Sequence, residues 1–158
     1  MKRLVYILVA ISLMVGLVGV ISCGGGTTIN DDAEFTTWLA NTNDNIHTYR
    51  NNVLDAVNND NWYSLEYYSE TEADLIDNTY KPQCLAFHLS SKYDSIRDEY
   101  NEFLYDISWA CFYDKWIAKD MQDGFYSDAI DDFDKATDYV SRATVHLNRV
   151  TSMVNELG

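Results

Sequence analysis

An all-α fold is predicted by three features of this 158-residue chain. Apolar residues recur at steps of three and four through four separate stretches, the spacing that lines them up on one face of a helix. No stretch sustains apolar/polar alternation, and no Asn-Gly or Gly-Gly hairpin turn follows residue 30. Clear breakers fall at only three places beyond that point: Asn58 to Asn61, Pro82 and Asp123-Gly124. Short connections between long helices favour neighbours of opposite direction. The expected fold is an antiparallel up-down-up-down four-helix bundle with a long third helix.

The first helix follows from Asp31-x-x-Glu34, which has the form of a capping box. Phe35, Leu39, Thr42, Ile46, Tyr49, Val53 and Ala56 then form its core stripe. Clustered Asn and Asp at 58–61 end it, because these side chains compete for backbone hydrogen bonds and favour turns. A second helix is expected from about Trp62 to Thr79, with Trp62, Leu65, Ser69, Ala73, Ile76 and Tyr80 inward. Pro82 ends that helix and suits the first position of the next. The third stripe runs through Leu85, Leu89, Tyr93, Ile96, Tyr100, Phe103, Ile107, Ala110 and Ile117. Beyond Gly124 the fourth helix carries Tyr126, Ile130, Phe133, Thr137, Val140, Thr144, Leu147 and Val154. The turns at 58–61 and 120–124 are then expected at one end of the bundle, and the Pro82 connection with the C-terminus at the other.

The N-terminus carries a different signal. Lys2 and Arg3 precede an almost purely apolar run from Leu4 to Ile21, the n-region and h-region of an export signal. The run closes on Val20-Ile21-Ser22-Cys23, which resembles a prokaryotic lipobox, followed by Gly24-Gly25-Gly26. That resemblance implies cleavage before Cys23, diacylglycerol on its thiol, and a chain tethered to the extracytoplasmic face of the cell membrane. The organisation is then a lipoprotein signal peptide at 1–22, the lipidated cysteine and a flexible linker at 23–30, and a helical domain at 31–158.

Removing Lys2 and Arg3 with the signal leaves nine bases against 25 acids, a net charge of −16. So acidic a surface repels nucleic acid and anionic headgroups, and attracts cations or basic partners. Cys84 and Cys111 remain as an even pair. On one continuous helix they stand roughly 40 Å apart, too far for a disulfide. Both are therefore expected free, with Cys111 on the packed stripe and Cys84 the more exposed. No Asn-x-Ser/Thr sequon occurs.

Gly124-x-Tyr126-x-x-Ala129-Ile130-x-x-Phe133-x-x-Ala136 resembles the second helix of a tetratricopeptide repeat over 13 residues. The preceding helix lacks that repeat's tryptophan, leucine and glycine, and a solenoid needs at least about three repeats. The likeness is one of helix-hairpin construction.

His47, His88 and His146 are scattered singly, and Asp44-x-x-His47 lacks the second Glu-x-x-His and inward glutamates of a di-iron bundle. No nucleophile elbow, zinc-protease motif or phosphate loop follows residue 23. Asp131, Asp132 and Asp134 complement a helix N-terminus. No metal, cofactor or catalytic residue is expected. Aromatic residues are in surplus, since one stripe per helix cannot hold them all. Tyr63, Tyr67 and Tyr68, with Trp109, Tyr113 and Trp116, form the candidate interaction surface. The expected function is non-catalytic: a lipid-anchored envelope protein that binds another envelope protein or has a structural role. The alternative is a lipoprotein binding a small molecule or cation in a pocket between helices, near Trp109 to Trp116.

Overall fold

A computed structural model describes residues 31–157, so the lipobox, Cys23 and the linker lie outside the described residues. The described chain is all-helical, with four long helical segments and no strand among the described residues. None of these helices is long and apolar enough to cross a membrane.

Helix α1 (Asp32–Asn58) buries Phe35, Leu39, Thr42, Ile46, Val53 and Ala56, the expected stripe, with Tyr49 half-buried. Its start departs from a capping box, because the Asp31 side chain makes no cap hydrogen bond. Asp31 and Asp32 instead hold a distant loop. The His88 N–H donates to Asp31 Oδ2 at 2.9 Å, while Ser90 N–H and Oγ donate to Asp32 at 2.9 and 2.6 Å. The Asp31 N–H returns a bond to the His88 carbonyl at 3.1 Å.

After the Asn59–Asn61 turn, where Asp60 adopts a positive φ of 51°, Asn61 caps α2 (Trp62–Leu75) by accepting from Ser64 N–H at 3.1 Å. Pro82 does not end this helix, contrary to expectation. The chain passes through a π-helical turn, Ile76–Tyr80, and continues as α3 (Lys81–Ala86). Proline has no N–H to donate and its ring crowds the carbonyl four residues back. The wider π turn just before Pro82 accommodates that crowding without breaking the helical path. The reversal comes later, at residues 87–90, where Phe87 and Ser90 are extended. Ser90-Ser91 is a weak breaker by itself, and the two α1 aspartates hold the loop in place.

Helix α4 (Ser91–Asp123) has 33 residues and is about 50 Å long. Gly124 ends it with φ of 84°, and α5 (Tyr126–Leu157) follows. A Cβ at Gly124 would meet nothing within 4 Å, so only backbone strain opposes a side chain there. Gly124→Ala is expected to lower stability by about 1 kcal/mol, the left-handed cost for an L-residue, measured by urea denaturation. A neutral effect would show that the turn relaxes out of this conformation.

The α5 core face keeps Val140, Leu147 and Val154 of the expected stripe and departs from it in the first turns. Ala129, Ala136, Val140, Ala143, Leu147 and Val150 are buried, whereas Tyr126 and Ile130 are exposed. At the start of α5 the small Ala129 and Ala136 face the core, and the larger Tyr126 and Ile130 lie outside it. Leu85, expected inside, is also exposed on α3.

Two apolar clusters make the core. One joins Phe35 and Leu39 of α1, Ile76 of the π turn and Cys84 of α3 to Phe103 of α4 and Val150 of α5. The other joins Val53 and Ala56 of α1, Leu65 of α2, Ile117 and Ala118 of α4 and Ala129 of α5. Cys84 and Cys111 therefore lie on different helices rather than one continuous helix. Both are free, and both are buried, Cys84 as fully as Cys111.

Candidate functional site

Helix α4 packs against α2 and α5 and still presents a strip of large rings to solvent. Tyr105, Trp109, Phe112 and Trp116 recur at steps of four, three and four, the spacing of one helical face. Tyr105, Phe112 and Trp116 are 42%, 45% and 43% exposed. The rings touch in series: Tyr105–Trp109 at 6.3 Å, Trp109–Phe112 at 5.4 Å and Phe112–Trp116 at 6.3 Å between centroids. Tyr139 of α5 stacks on Trp109 and on Tyr113, each at 5.8 Å, and widens the strip into a ledge.

Cations collect on this ledge. Lys81 lies 5.1 Å from the Tyr105 ring, Lys119 5.3 Å from Trp116, Lys135 5.2 Å from Tyr113 and the Arg142 guanidinium 4.9 Å from Tyr139. Each is within cation–π range. Each of these cations is also paired with a carboxylate of the chain: Lys81 with Asp77, Lys119 with Glu66, Lys135 with Asp132 and Arg142 with Asp106.

Of the six residues expected to form a surface, Trp109, Tyr113 and Trp116 belong to the ledge. Tyr63 and Tyr67 are exposed on α2 at 77% and 64%, and Tyr68 packs against the second apolar cluster. These three stand outside the ring series. Tyr105, Phe112 and Tyr139 escaped the sequence-level selection. For Tyr105 and Phe112 the available signal was their 4-3-4 spacing with Trp109 and Trp116, one face over from the buried stripe.

Beside the ledge, α2 and α4 leave an open cleft of about 320 Å³, to which the π turn and α3 contribute Asp77 and Lys81. Trp109 and Phe112 form apolar wall, and Ser69 and Cys111 lie deeper. Ser108 Oγ donates to both Asp77 oxygens, at 2.9 and 3.0 Å, and Lys81 pairs with the same carboxylate at 3.0 Å. Lys115 pairs with Glu70 at 2.6 Å. The Ser69 hydroxyl is fully buried and has no hydrogen-bond partner.

Behind Cys111 lies a charged cluster that sequence reasoning missed. Arg50 Nε donates to Glu72 Oε2 and Nη1 to Asp114 Oδ2, both at 2.8 Å, while Nη2 donates to Cys111 Sγ at 3.3 Å. Burial opposes the Arg50 charge, but Cys111, Glu72 and Asp114 more than offset it and raise its pKa. Burial also raises Glu72 and Asp114, outweighing the pull of Arg50 on each. Burial raises the Cys111 thiol well above its usual range too, so it stays protonated and unreactive. Cys84 is pushed up to about 12 by burial.

These shifts carry a signed expectation. Acids whose native pKa is raised bind more protons in the native than in the unfolded chain, so stability falls as pH rises from about 4 through the raised values. Acidification toward the ordinary carboxylate range, about pH 4, is therefore expected to increase the contribution of these two acids to the melting temperature. Glu72→Gln should flatten part of that slope. A slope unchanged by Glu72→Gln would contradict the assignment.

Among the described residues, no group of three or more His, Cys, Asp and Glu could hold a metal ion. His47 meets Asn51 at 3.1 Å, and the His88 ring stands in solvent near Asp31. His146 lies between α4 carboxylates, 2.6 Å from Glu99 and 3.6 Å from Asp106, so both ring nitrogens face acids. That arrangement ties α5 to α4. No family model, curated protein or solved structure matches the chain.

Proposed function

We propose that the chain is a membrane-tethered, extracytoplasmic helical bundle that acts by binding rather than catalysis, with the α4–α5 aromatic ledge as its recognition face. The tether rests on the lipobox-like Val20-Ile21-Ser22-Cys23. The helices run antiparallel, up-down-up-down. This reading is supported by a first cluster that joins the start of α1 to the end of α5, and a second that joins the end of α1 to the start of α5. Both tight turns then lie at one end.

The ledge carries the functional reading. Four touching rings on one helix face, edged by four cations, have the composition of a protein-binding surface, where aromatics and arginine concentrate. Its occupant is another envelope protein, met through the rings, since each ledge cation is already paired with a carboxylate of this chain: Lys81 with Asp77, Lys119 with Glu66, Lys135 with Asp132 and Arg142 with Asp106.

A photo-crosslinking residue at position 112, with a control at exposed position 152 on α5, tests this on intact cells. A discrete adduct from 112 alone, with another envelope protein identified in it, is the expected result. An adduct at twice the chain mass would assign the ledge to self-association, and an adduct with lipid would assign it to the bilayer; either overturns the partner. The tether is tested by Cys23→Ser, which should leave an uncleaved precursor. An unchanged mature mass would remove it.

A further inference from the structure

We propose that the cleft between α2 and α4 binds a small organic ammonium ion, a protonated amine on a compact apolar or aromatic body, held by Ser69, Asp77, Trp109 and Phe112. The cleft shares Trp109 and Phe112 with the ledge, whose outer side it adjoins, but the assignment rests on Ser69 and Asp77 and not on the ledge's recognition of a protein partner.

Four observations carry the assignment. The cleft, at about 320 Å³, has room for a ligand of roughly ten heavy atoms. Ser69 lines it with a fully buried hydroxyl that has no partner. Buried hydroxyls are almost always hydrogen-bonded, and an ammonium N–H is a donor for this one. The charge behind the cleft is negative in excess, since Arg50 alone faces Glu72 and Asp114. A carboxylate or phosphate ligand would meet that excess, whereas a cation is attracted by it and by the faces of Trp109 and Phe112.

The mouth already shows the chemistry. Asp77 holds Lys81, and Glu70 holds Lys115, so two alkylammonium groups of the chain sit on the cleft carboxylates. Lys81 Nζ also lies 5.1 Å from the Tyr105 ring. It can therefore give up Asp77 to an incoming ammonium and keep a favourable contact. Asp77 itself stays aimed by Ser108, which donates to both its oxygens. It belongs to the π turn that Pro82 demands, so the irregular turn supplies a carboxylate at the cleft. Such turns are frequent at functional sites.

Isothermal titration calorimetry of the full mature chain in detergent micelles at pH 7 tests this with three similarly sized probes: phenethylammonium, 2-phenylethanol and 3-phenylpropanoate. The ammonium probe is expected to bind, with the alcohol at least tenfold weaker and the anion weaker still. Ser69→Ala and Asp77→Asn should each weaken the ammonium at least tenfold while keeping wild-type melting temperatures, since one removes an unpartnered hydroxyl and the other changes a half-exposed side chain. Absence of binding by the ammonium probe, equal binding of the alcohol or anion, or wild-type affinity in both folded variants would overturn the assignment. Neither substitution touches a ledge ring, so the crosslinking result stands apart from this one.

Discussion

Arg50→Met should lower the unfolding free energy by about 3–5 kcal/mol, the range for breaking a buried ion pair by removing one partner. Arg50, Glu72 and Asp114 are all buried, and the guanidinium donates to both carboxylates. Its removal leaves two acids in the core facing each other's charge without a cation. A domain of this size has a total stability of roughly 5–15 kcal/mol, so the variant loses a large part of it. Glu72→Leu and Asp114→Leu combined with Arg50→Met should recover most of the loss, since apolar replacement of a whole buried charge cluster is often neutral or stabilising. Urea denaturation of the single and triple variants checks both statements. A loss below about 1 kcal/mol in Arg50→Met would mean that water reaches the cluster.

Phe35→Ala is the second large effect, expected at about 3–5 kcal/mol for a fully buried phenylalanine. The Phe35 ring meets Trp38, Phe87 and Tyr93 at centroid distances of 5.9, 5.2 and 6.5 Å. Phe87 sits in the reversal at 87–90, so Phe35 packs α1 against the connection that Asp31 and Asp32 also hold. Hydrogen exchange should show the amides of His88 and Ser90 losing protection more than those of α5. Uniform loss of protection would separate the turn from this aromatic cluster.

The stripes of α1 and of most of α4 were legible because each is a single apolar face repeated over many turns, and packing leaves such a face one place to go. Arg50 was not legible. An arginine beside a core stripe reads as solvated, and its partners lie 22 and 64 residues away in the chain. Pro82 misled because the usual response to proline is a break, whereas here a π turn absorbs it and a loop without a strong breaker reverses the chain. That loop depends on hydrogen bonds from the far end of α1, a tertiary cause with no local signature. On α5 the bulkier Tyr126 and Ile130 outranked Ala129 and Ala136 by hydrophobicity, but the small residues are the ones that face the core. Half of the aromatic surface was legible from composition. The rest required knowing which α4 face its neighbours leave uncovered.

The direct test of a tethered binding domain is radical footprinting of aromatic rings on intact cells and on the purified mature chain. If the ledge is the recognition face, Tyr105, Phe112 and Trp116 are labelled several-fold less on cells, while exposed Tyr63 and Tyr126 are labelled equally in both. Equal labelling of the ledge rings in the two preparations would contradict it.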